Sequence, residues 1–412
     1  MSKEENRKNF SKYVSQNILG MIGFSCYVLA DSYFISIAKG ADGLTALNLV
    51  MPLYSIIFSI GEMIGVGSAI RYAISKIKKD ADADDYFWNA LIWCILSSML
   101  FVFAGIFFSA DIMRVLGADE HIVAVGNNYT KIFMCFAPMF MCNYVTNAFV
   151  RNDGAPGIAM SATLFSSLFN IVFDYILMFP MNLGMEGAAL ATALSPIIGM
   201  GICSIHFFSK KSSVRLVVCK PSVRKLVAGS QLGVSAFVGE MSSAVITLAF
   251  NFVILKLTGN VGVAAYGVVA NIAIVTTAVF NGVAQGSQPL ISSCFGRGDK
   301  DGCTQLKRMG YTTAFVLAAV MYSILFIFAE QFVAVFNSEG SEMLRLYATE
   351  GVKLYFIGIF FAGINIVGGG AFSATEDAFK AAVVSVARGF VLILGAVFVM
   401  SSLFGMTGVW LA

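Results

Sequence analysis

Apolar residues run through this chain in blocks of roughly 20, the length that spans a bilayer core, and the polar residues fall in the short gaps between them. Eleven complete blocks lie at about 14–35, 44–70, 87–108, 129–149, 157–179, 187–208, 230–256, 263–293, 309–329, 347–373 and 379–401. A further block opens at Met406 and reaches only Ala412. None of them alternates with period two, so a membrane barrel is excluded. In hydrocarbon every backbone amide needs an internal partner, which makes the blocks helices. The predicted fold class is an all-α integral membrane protein.

Composition points the same way. The 412 residues are 58% hydrophobic and 12% charged, with mean hydropathy +0.80, whereas an ordinary soluble domain is roughly 45–50% apolar and about 25% charged. Net charge is only +3, yet its placement orients the chain. Threading alternate gaps to one side collects twenty of the 27 Lys and Arg residues with the N-terminus and the gaps after spans two, four, six, eight and ten. The other side holds Lys39, Arg114, Lys256 and Arg345. Basic residues gather on the cytoplasmic side, so the N-terminus is expected there. The eight cysteines show no CxxC or Cys/His spacing and read as small packing residues. The first apolar block carries Asp31 and is followed by more spans, unlike a cleaved leader.

The chain repeats itself. At a shift of 219, Gly40, Gly43, Ala46, Val50, Gly67, Ser68, Asp80 and Asp82 recur as Gly259, Gly262, Ala265, Val269, Gly286, Ser287, Asp299 and Asp301. At a shift of 221, Gly184, Met185, Gly187, Leu190 and Ala191 recur as Gly405, Met406, Gly408, Leu411 and Ala412. Two six-helix halves of the same orientation follow, related by an axis along the membrane normal. The expected organisation is an N-lobe over 1–209 with helices 1–6, a cytoplasmic linker over 210–229, and a C-lobe over 230–412 with helices 7–11 and the start of a twelfth. On this repeat most of helix 12 is missing from the chain.

The residues that carry a resemblance are now visible: Ala30-Asp31-Ser32-Tyr33-Phe34-Ile35 followed by Gly40 and Gly43; Gly65-Val66-Gly67-Ser68; Asn170-Ile171-Val172-Phe173-Asp174; and Gly184-Met185-Glu186-Gly187-Ala188-Ala189-Leu190-Ala191-Thr192. In order and spacing the chain resembles the multidrug and toxic compound extrusion (MATE) family over essentially its whole length. That resemblance implies a V-shaped, two-lobed secondary antiporter exporting amphiphilic, often cationic compounds as Na⁺ or H⁺ enters, with no ATP and no further cofactor. No GxxxxGK[ST] phosphate loop is present. Many family members bend span one at a proline; here 14–30 has none, leaving Gly20 and Gly23 as its soft points, while Pro52, Pro138, Pro196 and Pro289 are candidate hinges elsewhere.

A carboxylate at membrane depth is costly unless paired, wetted or protonated, so intramembrane acids are the candidate chemistry. Asp31, Glu62, Asp174 and Glu240 qualify. Asp31 and Asp174 lie at similar depth, and Asn170 shares the face of Asp174 at i−4. Span four offers the i, i+4 pair Asn143 and Asn147, and span six offers Thr192. The oxygens of Asp31, Asn147, Asn170, Asp174 and Thr192 are hard ligands of the kind Na⁺ or a proton relay needs. The resemblance implies a cation site at these positions, with Asn147 favoured over Asn143 and Na⁺ possible at Asp31, Asn170 and Asp174. The competing explanation is interhelical hydrogen bonding alone. In the C-lobe, Glu240, Asn365 and Arg388 are candidates for substrate or coupling roles, with Arg388 positioned to neutralise Glu240. Glu62 is a candidate auxiliary acid.

The rival functions are a lipid-linked saccharide flippase, which needs more deep basic residues than Arg388 alone, and a passive channel, which leaves the repeat and the buried acids unexplained. No HExxH or GxSxG motif suggests an enzyme. The expected partners are small amphiphiles and membrane lipid, with no nucleic acid. The expected protein is a monomer, multi-pass in a bacterial cytoplasmic membrane.

Overall fold

The computed structural model describes residues 3–336 and 341–412, and within them the chain is a bundle of long helices. We number them α1 (Lys3–Gly40), α2 (Asp42–Lys78), α3 (Asp85–Val115), α4 (Glu120–Cys135 with Ala137–Asn152), α5 (Pro156–Met178), α6 (Gly184–Phe207), α7 (Val223–Gly259), α8 (Val261–Gly296), α9 (Lys300–Ile327), α10 (Glu342–Ser373) and α11 (Ala378–Leu411). Among the described residues ten helices are long and apolar enough to cross a membrane, or eleven when the two halves of α4 count as one span. Those halves meet at 46° just before Pro138, one of the four prolines read as hinges. Gly20 and Gly23 do not soften α1. The helix runs through both, and a Cβ at Gly23 would stand 2.5 Å from Leu164 Cδ2, so that glycine serves close packing on α5.

The repeat is written in the backbone. α1 turns into α2 at Gly40 (φ +58°), and α7 turns into α8 at Gly259 (φ +67°). The loops after α2 and α8 carry Lys79 (φ +61°) and Gly298 (φ +73°), again 219 apart. Gly184 (φ +52°), where α6 begins, pairs with Gly405 (φ +60°), where the last helix breaks. L side chains seldom enter this left-handed region, which explains why glycine recurs at the helix-to-helix corners. Capping side chains mark other starts: Asp119 accepts from Ile122 N at 2.8 Å, and Asp299 from Gly302 N at 2.8 Å.

The lobes join by exchanging the first turns of their first helices. Phe10 and Val14 of α1 belong to the C-lobe core, and Leu232 of α7 belongs to the N-lobe core. Glycines permit both crossings. A Cβ at Gly67 on α2 would stand 2.1 Å from the Gly229 carbonyl oxygen and 2.6 Å from Gly233 N on α7. One at Gly286 on α8, the repeat partner of Gly67, would stand 2.8 Å from Val14 Cα on α1. Ion pairs frame the crossing: Arg71 bonds to Glu376 across the lobes, and Lys78 Nζ lies 3.5 Å from the same carboxylate. All of this sits at the basic end. At the opposite end the polar contacts, such as His121 with Asp42 at 2.9 Å and Thr407 with Glu350 at 2.6 Å, stay within one lobe.

Between α6 and α7 the stretch 208–222 is non-helical, and 223–229 already winds as α7. Its start is held by one carboxylate, Asp153. His206 Nε2 lies 2.8 Å from Asp153 Oδ2, Tyr72 OH donates to Oδ1 at 3.2 Å, and Ser213 N donates to Oδ2 at 2.9 Å. Ser212 and Ser213 hydroxyls complete the shell. The His206 and Asp153 side chains are 4% and 3% exposed. Nearby, Lys225 pairs with Asp82 and holds its carboxyl below the usual range.

Two outcomes follow from this packing. Gly67→Ala gains about 0.5–1 kcal/mol of helix propensity but meets fixed backbone, and overpacking costs about 1–3 kcal/mol; the melting temperature in detergent should fall. Gly201→Ala, with nothing within 4 Å of its Cβ, should not lower it. Equal shifts in the two variants would refute the crossing as a steric constraint. Asp153→Ala strands buried donors at about 1–3 kcal/mol each, so trypsin should cut the linker at Lys210, Lys211 or Arg215 faster than in the unsubstituted protein; an unchanged cutting rate would show that Asp153 does not hold it.

Candidate functional site

The acid cluster forms where α1, α5 and α6 meet. Contacts between α1 and α5 keep a near-constant offset: Gly20 faces Met160, Gly23 faces Leu164, and the Phe34 and Tyr175 rings are 6.2 Å apart. That register sets Asp31 level with residues 171–172, within a turn of both Asn170 and Asp174. α6 approaches α5 closely because its first turns are small residues; a Cβ at Gly187 would stand 2.8 Å from the Leu177 carbonyl carbon. Thr192 is thereby brought to Asn170. With its amide nitrogen toward Asp174, Asn170 donates to Asp174 Oδ2 at 3.1 Å and accepts from Thr192 Oγ1 at 3.2 Å.

All four side chains are buried: Asp31 7% exposed, Thr192 1%, Asn170 and Asp174 0%. The shared register puts the two carboxylates in one layer of the lobe, where like charges repel. Asp31 Oδ1 and Asp174 Oδ1 have no hydrogen-bond partner. Two like-charged carboxylates with idle oxygens in an apolar bundle are a poor way to glue helices, since bare buried anions cost more than their bonds return. They are a good way to hold a proton or a hard cation.

Asn147 is elsewhere. Its amide donates to Ala159 O at 3.1 Å and Thr163 Oγ1 at 3.2 Å, and its oxygen accepts from Arg151 Nη1 at 3.4 Å. It lines a cavity of about 110 Å³ that begins one turn from the acid cluster and reaches the lobe interface. Asn143 lines the same cavity with its oxygen buried and unpartnered. So do Glu62 and Glu240. Glu62 is 9% exposed and accepts from Gln285 Nε2 at 3.2 Å across the lobes.

The C-lobe candidates are not gathered. No ion pair joins Arg388 to Glu240 among the described residues, although Arg388 Nη2 lies 3.9 Å from where a Cβ of Gly239 would stand. Residues Ala387–Leu392 are wound as a π-helix around Arg388, and Asn365 is half-buried on α10. Arg388 is not the only deep guanidinium, contrary to the sequence reading: Arg151 is 4% exposed, lines the cavity, and donates to Gln285 Oε1 at 2.7 Å. In the sequence Arg151 falls just past the fourth apolar block, among the loop charges. Its spacing held a signal, because Asn143, Asn147 and Arg151 form an i, i+4, i+8 polar stripe on one face of α4. Gln285 carried no such mark.

The family model described as MatE matches residues 17–176 and 236–404. The multidrug export protein MepA of Staphylococcus saprophyticus is 26% identical over 399 residues, covering 95% of this chain and 86% of the relative. MepA of Staphylococcus aureus strain MRSA252 is 27% identical over 404 residues, with the same coverage. A solved structure described as an outward-facing multidrug resistance MATE transporter of the MOP superfamily superposes with TM-score 0.91 at 21% identity, over 98% of this chain and 91% of that one. A MOP superfamily transporter from Pyrococcus furiosus, described as having a binding pocket of reverse polarity, gives 0.90 at 20% identity over the same shares.

Proposed function

The chain belongs to the MatE family, and from that premise we propose that it exports multiple amphiphilic, often cationic organic compounds in exchange for H⁺ or Na⁺. The exchange site is the cluster Asp31, Asn170, Asp174 and Thr192 in the N-lobe. One observation carries this reading: two buried carboxylates, each with an unpartnered oxygen, share one layer of the N-lobe. A cation or proton bound there cancels their repulsion, and its departure restores it. Such a site gives the two lobe arrangements different affinities for the ion, which is what gradient-driven alternation needs.

The name of the MepA relatives supports multidrug export, and the basic end supports a cytoplasmic N-terminus in a bacterial plasma membrane. The protein acts as a monomer, since each chain has both lobes. A lipid-linked saccharide flippase is the second reading. Arg151 and Arg388 would then meet a pyrophosphate, but Gln285 and Asn147 occupy Arg151, and Glu62 and Glu240 in the same cavity repel an anion. The balance favours a cationic or neutral cargo.

Efflux of a fluorescent cation from loaded proteoliposomes, driven in turn by a pH gradient and by a Na⁺ gradient, tests the proposal. Asp31→Asn and Asp174→Asn each remove an ionisable group at nearly constant volume and should each abolish gradient-driven efflux while leaving melting temperature close to unchanged. Near-normal efflux in both would move coupling out of the N-lobe. Glu240→Gln should weaken transport of some cations and keep gradient dependence; loss of that dependence with Asp31 and Asp174 intact would place coupling in the C-lobe instead.

A further inference from the structure

The cavity beside the acid cluster has two differently built ends. At one end its wall includes Tyr27, Ser166, Ser167 and Ser195. These lie one turn from the cluster on each of its three helices: Tyr27 is at i−4 from Asp31, Ser166 and Ser167 at i−4 and i−3 from Asn170, and Ser195 at i+3 from Thr192. Along the wall the unpartnered Asn143 oxygen offers a hard acceptor to whatever occupies the space. At the other end a chain of three side chains lines it: Arg151 Nη1 donates to Gln285 Oε1 at 2.7 Å, and Gln285 Nε2 donates to Glu62 Oε1 at 3.2 Å.

Arg151, Glu62 and Asn147 all belong to the N-lobe. In the chain of three side chains only Gln285 comes from the C-lobe, and it stands next to Gly286, where α8 crosses α1. Its position is therefore fixed by the closed crossing at the basic end and is lost when that crossing parts.

We propose that Arg151, Gln285 and Glu62 form the gate through which the coupling ion leaves the acid cluster toward the basic end. The inference rests on the proposed exchange site and adds an exit to it. While the lobes are closed, Gln285 holds the Arg151 guanidinium across the cavity floor, and a fixed positive charge in a low-dielectric passage repels a departing cation. At about 4 Å and an effective dielectric constant of about 20 a bare charge would slow passage by up to about a thousandfold, and the Glu62 carboxylate in the same cavity offsets part of this, leaving a barrier of about tenfold or more. When the lobes part, Gln285 withdraws, Arg151 turns to Glu62 within its own lobe, and the passage loses its barrier. Release of the ion is thus tied to the same movement that opens the cavity to cargo. Gln285 and Arg151 are positioning residues in this scheme; neither binds the ion in the cluster.

The test is ion flux without drug. Proteoliposomes carrying the unsubstituted protein, Gln285→Ala, Arg151→Gln or Arg151→Lys are given a pH or Na⁺ gradient, and ion entry is followed with an internal pH dye or radioactive sodium. Gln285→Ala and Arg151→Gln should leak about tenfold faster or more, whereas Arg151→Lys, which keeps the charge, should stay tight. A residue needed only for folding would lower drug efflux without opening a leak. Gln285→Ala and Arg151→Gln as tight as the unsubstituted protein would overturn the gate, and so would an Arg151→Lys leak equal to that of Arg151→Gln. Adding Asp31→Asn to Gln285→Ala should close the leak; a leak that persists overturns the path from the cluster. Failure of the underlying exchange site shows separately, as normal gradient-driven efflux by Asp31→Asn alone.

Discussion

The crossing of the two lobes at the basic end governs the arrangement. Gly67 on α2 and Gly286 on α8 let backbone meet backbone, and no other residue type fits without displacing a helix axis. In lipid the hydrophobic effect gives neighbouring helices little reason to associate, so close approach and dispersion must hold them. A contact made by small residues is tight but narrow. It can therefore serve as a seam that closes fully or opens fully, and cannot yield by degrees as a cushion of large side chains would.

That seam decides where polar groups are tolerable. Buried amides, acids and a guanidinium are expensive in a bundle, and here Asn143, Asn147, Arg151 and Glu62 of one lobe and Glu240 and Gln285 of the other line a single cavity ending at the seam. The linker is treated similarly. Asp153 gathers a histidine, a tyrosine and two serines, so the connection between lobes leaves the N-lobe from a fixed point and movement is confined to the crossing itself.

Much of this was legible in the sequence because depth along a helix is a one-dimensional property. The spans, the loops of each side and the repeat all come from counting residues, and the shifts of 219 and 221 reappear as left-handed glycines at matching corners. Direction around the helix is harder to read. Asn170 and Asp174 share a helix, so spacing alone paired them, but the relation of Asn147 to Asp31 depends on the rotation of two helices, and Asn147 turned toward Arg151. Arg388 and Glu240 have compatible depths and yet do not pair. A basic residue at the end of a span reads as a loop charge, whereas the approach of α8 encloses Arg151. Gln285 has no charge to draw attention, and its role depends on a partner in the other lobe.

The repeat also shows what symmetry leaves out. Carried by the shifts of 219 and 221, Asp31, Asn170 and Asp174 fall on Phe250, Val391 and Gly395 in the C-lobe, and Glu62 falls on Asn281. The scaffold is doubled; the acid chemistry is not. Gly67 and Gly286 keep the crossing symmetric, while the Asp31 and Asp174 pair is present on one side only. The C-lobe has no counterpart of the Asp31 and Asp174 pair, so any coupling to it must pass through a contact that crosses the seam. Gln285, one residue before Gly286 and hydrogen-bonded to both Arg151 and Glu62, is placed to make that contact: the residue that fixes the geometry and the residue that reads the charge are neighbours in the chain.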